Sequence, residues 1–298
     1  MNRIPSSILL FTLLLGVVAP GCSAMTDIDG LFVGVDEKSP DKPLCAKVTW
    51  DGVTKVTDSS LNSLVAHWPQ LRALNLRGAQ KITDAGLVHL KALTQLQSLE
   101  LDGTQVTDAG LENLTGLNQL DYLDLCNTKV TDAGLRHIKG LAYLKHLALV
   151  GTKVGDAGLE NIEGLSQLKH LNLGLTKITD SGLRHVRGLT KLTDLDLSDT
   201  QVTDGSLENV KGLSGLTQLN LVSTKITGPG LEHLKALTKL QVLWLINAPV
   251  TDAGLEHLKG LTTLEYLYLW GTKVTDAGVR RLQQALPNCK IEWTPPIG

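Results

Sequence analysis

Residues Leu120 to Tyr143 read L-D-Y-L-D-L-C-N-T-K-V-T-D-A-G-L-R-H-I-K-G-L-A-Y, and the next 24, Leu144 to Gln167, say almost the same thing. Further copies open at Leu168, Leu192, Leu216, Leu240 and Leu264, and two more upstream at Leu71 and Leu96, the first longer by one residue, Lys81. A degenerate first copy runs from Cys45 with Val48 and Trp50 in the Leu slots, and a last half-copy carries Ile291 and Trp293 there. Numbered from its first residue, each copy has Leu at positions 1, 4 and 6 with polar residues between, the period-two pattern of a strand with one buried face. Self-similarity at such a period means stacked units, each burying its neighbour's apolar stripe because none can bury its own.

L-x-x-L-x-L followed by a short helix is the signature of the leucine-rich repeat, and the chain resembles that family over roughly residues 45 to 293. The T-D-A-G-L phrasing is similar to repeats of bacterial envelope and secreted proteins, and to the cysteine-containing, F-box-associated repeats of eukaryotes. The resemblance implies an α/β solenoid, a horseshoe with a parallel sheet on its concave face and short helices on its convex face. It supports a binding role only by analogy; catalysis is not expected because no Ser-His-Asp, Cys-His or carboxylate pair stands apart from the repeat pattern.

Within the repeat, Thr at position 9 (Thr104, Thr128, Thr152, Thr176, Thr200, Thr224, Thr272) reads as a structural column of hydroxyls. Position 13 is Asp in nine of ten copies, with Gly228 the exception. Pro229 follows that glycine, and proline favours the first helical residue, so position 13 is predicted to be the helix cap. Gly at position 21 (Gly116, Gly140, Gly164, Gly188, Gly212, Gly260) is predicted to end the helix in a left-handed conformation. Position 17 alternates Glu112, Arg136, Glu160, Arg184, Glu208, which predicts weak pairing between neighbouring helices.

The two ends close the stack, with Trp50, Trp68 and Pro69 in front and Leu286, Pro287, Ile291 and Trp293 behind. Residues 1–22 read as a secretory signal: Arg3, then an apolar run from Ile8 to Val18, too short to span a bilayer. Gly21-Cys22 resembles a bacterial lipoprotein box in which Cys22 is lipidated; the alternative is cleavage after Ala24. Residues 23–44, polar and carrying Pro40 and Pro43, read as a tether, and 45–298 as the repeat domain of ten repeats and a closing strand. Four cysteines so far apart make no disulfide framework. A net charge of −2 lacks the basic stripe that a nucleic-acid partner needs.

Positions 3, 5 and 7 of each strand form the concave face and do not serve the core, so function is expected in those columns. Glu100, Asp102, Asp121 and Asp124, and later Asp194, Asp196 and Asp199, make two acidic patches, read as a solvated face or a surface for a basic partner. His146, His170 and Asp194 fall at position 3 of adjacent strands, within reach of a shared cation. Val242, Trp244, Ile246, Tyr266, Tyr268 and Trp270 fill exposed concave slots on two neighbouring strands. Clustered exposed aromatics mark binding sites, and the competing reading packs them under a C-terminal cap. The expected function is a non-catalytic scaffold of the cell envelope, anchored or secreted, binding a protein, peptide or glycan at this aromatic zone without a cofactor. The alternatives are an adaptor of a ubiquitin-ligase-like complex, and a metal-dependent or thiol enzyme built on the His row or on Cys126 with His146.

Overall fold

The structure, a computed structural model, describes residues 55–295 together with the strands Cys22–Ile28 (β1), Leu31–Asp36 (β2) and Ser39–Val48 (β3). The remaining strands are three residues each: Ala73–Asn75 (β4), Ser98–Glu100 (β5), Tyr122–Asp124 (β6), His146–Ala148 (β7) and His170–Asn172 (β8). Asp194–Asp196 (β9), Gln218–Asn220 (β10), Val242–Trp244 (β11), Tyr266–Tyr268 (β12) and Lys290–Glu292 (β13) complete them. One 13-stranded sheet runs in sequence order. β1, β2 and β3 pair antiparallel; from β3 onward every pair is parallel and exchanges like positions of consecutive repeats, such as Leu123↔Leu147↔Leu171. This is the expected leucine-rich-repeat solenoid.

The core is a column of repeated apolar positions. Leu120, Leu123, Leu125, Val130, Leu135, Ile138 and Leu141 are each 0% exposed, and their counterparts repeat that burial from Val56 to Leu286. Each fully buried Leu contributes about 2 kcal/mol. The rear closes as expected on Leu286, Ile291 and Trp293, whose indole Nε1 donates to the Val274 carbonyl at 3.2 Å. Trp68 packs against the front of the core.

The buried Thr column donates from Oγ1 to the carbonyl of position 6 in its own repeat at 2.5–2.7 Å, holding the turn after the strand. Just before it, position 8 adopts a left-handed backbone in every complete repeat from Leu71 onward. Gly78, Gly103, Gly151 and Gly271 occupy it, and so do Asn127, Leu175, Asp199, Ser223 and Asn247 with φ of 52–58°. The glycines at position 21 are not left-handed, contrary to expectation: no positive φ occurs there.

The cap also lies one residue earlier than expected. Thr at position 12 (Thr83, Thr107, Thr131, Thr179) precedes the helix and accepts from the N–H two residues on, while Asp is the first helical residue. The Asp carboxylate reaches across to the next repeat. Its Oδ1 accepts from the backbone N–H of that repeat's Thr at 2.7–2.9 Å and its Oδ2 from the hydroxyl at 2.5–2.7 Å, as in Asp58–Thr83, Asp84–Thr107, Asp108–Thr131, Asp156–Thr179, Asp180–Thr203 and Asp252–Thr275. Asp204 holds Thr227 the same way. Glycine at position 15 follows from this staple, since a methyl group on Gly134 would overlap Asp108 Oδ1. Gly155 has no hydroxyl and keeps only the backbone half. Only at Gly228 is position 13 the cap, ahead of the 3-10 helix Pro229–Ala236.

Three further expectations change. The stretch 23–44, expected as a tether, largely falls within β1, β2 and the start of β3. The first copy is in register two residues earlier than read: Ala46, not Val48, pairs with Leu74 at position 4. The alternating charges at position 17 do not pair with one another among the described residues; Arg136 and Arg184 instead donate to the adjacent His137 and His185. Residues 1–21, with the signal, and Trp50 lie outside the described residues.

Candidate functional site

Position 5 turns the chain before it lines a site. Asn75, Asp124, Asn172, Asp196 and Asn220 each accept the backbone N–H of position 7 at 2.8–3.0 Å, the Asx bond that leads into the left-handed residue. Glu100 sits in the same column with a side chain one methylene longer and makes no such bond. It is nonetheless 5% exposed. Burial, then the Asp124 charge beside it, push the Glu100 carboxyl up from 4.5 to about 7. Burial likewise raises Asp124 and Asp196.

The acidic columns are therefore not the solvated face that was one reading of them: Glu100, Asp102, Asp124 and Asp196 are all buried. Asp121 pairs with Lys145 at 3.0 Å on the rim, and Asp199 is one of the left-handed turn residues. Arg77, the one cation of the position-7 column, meets Asp102 at 2.7 Å.

Next to these carboxylates the position-3 column becomes a stack of rings. Tyr122 and His146 lie 5.4 Å apart, and His146 and His170 lie face to face at 4.2 Å and 7°. His170 Nδ1 is 2.9 Å from Asp194 Oδ2. His146 Nδ1 is shielded from water and has no hydrogen-bond partner. Burial, then His170, lower the His146 imidazole from 6.5 to about 4, so it is neutral at neutral pH. Parallel stacking and the engagement of His170 with Asp194 are not a chelating arrangement, and among the described residues no three His, Cys, Asp or Glu converge on a cation position. The thiol reading fails on Cys126 itself: burial, then Asp124, push that thiol far above the usual range.

Strands β6–β9, with Gln218 and Arg77 at the margins, line an open cavity of about 330 Å³ on the concave face. Tyr122, Asp124, Cys126, His146, His170 and Asp196 are among its walls. The sequence columns single out most of these residues, but not Arg77, Tyr122 or Asn127. The available signal was Arg77 standing alone among the acids and Tyr122 ahead of two histidines in one column. Asn127 Nδ2 donates to Asp102 at 2.9 Å from a left-handed turn that the sequence pattern does not announce.

The expected aromatic zone lies further along, on β11, β12 and the residues after them. Trp244 and Tyr268 stack at 5.7 Å and 3°, Tyr266 and Tyr268 at 6.5 Å and 10°, and Trp270 tilts against Tyr268 at 5.6 Å. Tyr266 is 41% exposed; Val242, Trp244, Tyr268 and Trp270 are half-buried. Ile246 is not in an exposed slot, being 5% exposed. β13 continues the sheet beside β12, and Trp293 packs against the core.

The chain thus carries leucine-rich repeats folded as an open solenoid with two side-chain clusters on its inner face. The family described as Leucine Rich repeat matches residues 69–91, 92–114, 140–162, 165–184 and 188–210. An internalin C2 from Listeria monocytogenes is similar in structure, with a TM-score of 0.56 and 26% identity over 71% of this chain and 84% of that one. A leucine-rich-repeat protein of Leptospira interrogans gives 0.52 and 21% over 76% and 74%. The plant peptide hormone receptor RGFR1 in complex with RGF2 gives 0.55 and 18% over 75% of this chain, which spans 36% of the receptor. No curated protein matches. Among the described residues no helix is long and apolar enough to cross a membrane.

Proposed function

We propose that this protein is a non-catalytic scaffold, exported to the cell envelope, that recognises a protein, peptide or glycan with the concave sheet at Val242, Trp244, Tyr266, Tyr268 and Trp270. The observation that carries the reading is the ring cluster: Trp244, Tyr266 and Tyr268 lie in near-parallel planes with Tyr266 exposed. Rigid aromatic faces bury large area on binding at little cost in conformational entropy. The plant peptide hormone receptor RGFR1 shares the fold and is in complex with RGF2, which is support by analogy only, since function resides in the site.

Export rests on Arg3, the apolar run from Ile8 to Val18 and Gly21-Cys22, and Cys22 is the lipidated residue in this reading. The T-D-A-G-L phrasing, similar to repeats of bacterial envelope and secreted proteins, supports the same reading.

Affinity capture from an envelope extract tests the site. The protein is compared with a Trp244→Ala/Tyr268→Ala/Trp270→Ala variant of unchanged thermal stability. A species held by the parent and released by the variant supports the aromatic zone; equal retention refutes it. Lipidation is tested by incorporation of labelled palmitate, expected in the parent and absent from Cys22→Ser.

A further inference from the structure

One side of the cavity on β6–β9 is a column of rings whose middle member is built for a single protonation state. The parallel register brings Tyr122, His146, His170 and Asp194 to position 3 of four consecutive strands. His146 is sandwiched there, with Tyr122 5.4 Å away on one side and His170 4.2 Å away on the other. Its Nδ1 is shut off from water and meets no hydrogen-bond partner. A neutral ring leaves one lone pair unmet at that place. A protonated ring would put a buried charge there, and an N–H with nothing to receive it.

The anions nearby are already committed. Asp121, at the β6 side, pairs with Lys145 at 3.0 Å. Asp194 meets His170 Nδ1 at 2.9 Å and accepts from the Thr193 hydroxyl at 2.6 Å. Lys145 precedes the ring, and Tyr122 stacks on it with a phenol that burial first and Asp124 second hold in the protonated form. Neither carries a negative charge that would keep a proton on His146. Burial, then His170, hold that proton off until about 4. The backbone of β7 does not depend on the ring: the His146 N–H donates to the Asp121 carbonyl at 2.9 Å, and the Lys145 carbonyl accepts from the His170 N–H at 3.0 Å.

We infer that His146 is an acid-operated latch: its neutral ring closes the wall between Tyr122 and His170, and on taking up a proton it leaves the column and widens the cavity while the solenoid stays folded. The latch is independent of the reading of Trp244, Tyr268 and Trp270 as the binding zone, which lies on other strands. Its effect is to give the middle of the concave face two shapes, one above and one below the titration of a single side chain.

The experiment is an NMR titration of the protein from about pH 7.5 to about pH 3.5, following the imidazole Cε1–H signals and the contacts between rings. Of the eight histidines, His146 is the one whose signal is missing from His146→Phe. At neutral pH its ring is expected to show nuclear Overhauser effects to Tyr122 and to His170. These are expected to disappear in step with its own titration, while those between Trp244 and Tyr268 persist. The phenylalanine variant stacks and takes no proton, so its contact with Tyr122 is expected to last through the whole range.

Ring contacts that survive the titration mean that His146 is protonated in place, or only turned over within the stack, and overturn the latch. So does a His146 that does not titrate before the Trp244–Tyr268 contacts are lost, because the fold then yields as a whole. If the variant fails to fold, the parent titration decides alone. If it folds and loses its contact with Tyr122 on acidification as the parent does, another group drives the opening and the inference fails.

Discussion

Glu100→Gln removes one ionisation while keeping the shape of a side chain that is 5% exposed. In the folded chain this carboxyl keeps its proton up to about 7, against 4.5 ordinarily, chiefly because it is buried and secondarily because Asp124 lies beside it. Between those two values the unfolded chain ionises Glu100 and the folded chain does not, so stability falls as pH rises through the window and is level above it. At ~1.4 kcal/mol per pH unit, the interval amounts to about 3 kcal/mol.

The substitution is expected to match the parent at pH 4 and to exceed it by about 3 kcal/mol at pH 8. His146 runs the opposite way. Its imidazole is neutral in the fold down to about 4, while the unfolded chain takes up a proton below 6.5, so stability is lost as pH falls from 6.5 to 4. In the parent the two slopes oppose each other between 4.5 and 6.5, and removing Glu100 exposes the rise due to His146. Urea unfolding followed by tryptophan fluorescence at stepped pH reads both. A difference between parent and variant that stays constant from pH 4 to 8 refutes the reasoning, because Glu100 would then titrate as a hydrated or paired carboxylate.

Three further perturbations test the framework. Asp108→Ala deletes both bonds to Thr131 and is expected to cost about 2 kcal/mol, while Gly134→Ala forces a methyl onto Asp108 Oδ1. Since both act on one staple, the double variant should cost less than the sum by about 1 kcal/mol or more, and strict additivity in denaturant melts refutes the staple. Leu175→Gly relieves a left-handed backbone at a residue 58% exposed, and should stabilise by about 1 kcal/mol; a lower melting temperature counts against that strain. Cys126 should react with a disulfide reagent at pH 8 at least about tenfold more slowly than free cysteine; a fast acidic thiol would restore the nucleophile reading.

The fold was legible because its determinants are local and repeated. Leu at positions 1, 4 and 6, Thr at 9 and the Ile291/Trp293 half-copy all behave as their pattern states. What the pattern could not carry is contact between repeats. T-D is a pair of good capping residues, and the one break in the column, Gly228-Pro229, points to position 13; that the Asp bonds forward to the next Thr depends on a partner 23 residues away. The same holds for the concave face. Period two puts Asp124 and Glu100 outward, yet side chains on adjacent strands close over them, and no single strand records that. Leu175 and Asn127 show the limit from the other side: their backbones are left-handed through the turn geometry, not through glycine. The Trp244–Trp270 cluster was visible because aromatics are so rare in this chain, whereas the cavity is built of ordinary residues in ordinary columns.

The staple is missing entirely at one joint. Gly228 offers no carboxylate to Thr251, whose hydroxyl makes no cap bond, and the two backbones close in on each other instead at Gly228 and Gly254. In a solenoid each unit is coupled only to its neighbours, so the chain behaves as a linear lattice whose coupling constant drops at this one bond. A domain wall between folded and frayed segments is pinned most readily there. The cavity residues lie on the N-terminal side of the wall and the Trp244–Trp270 cluster beyond its strand, so a ligand long enough to touch both would act as a splint across the weakest link.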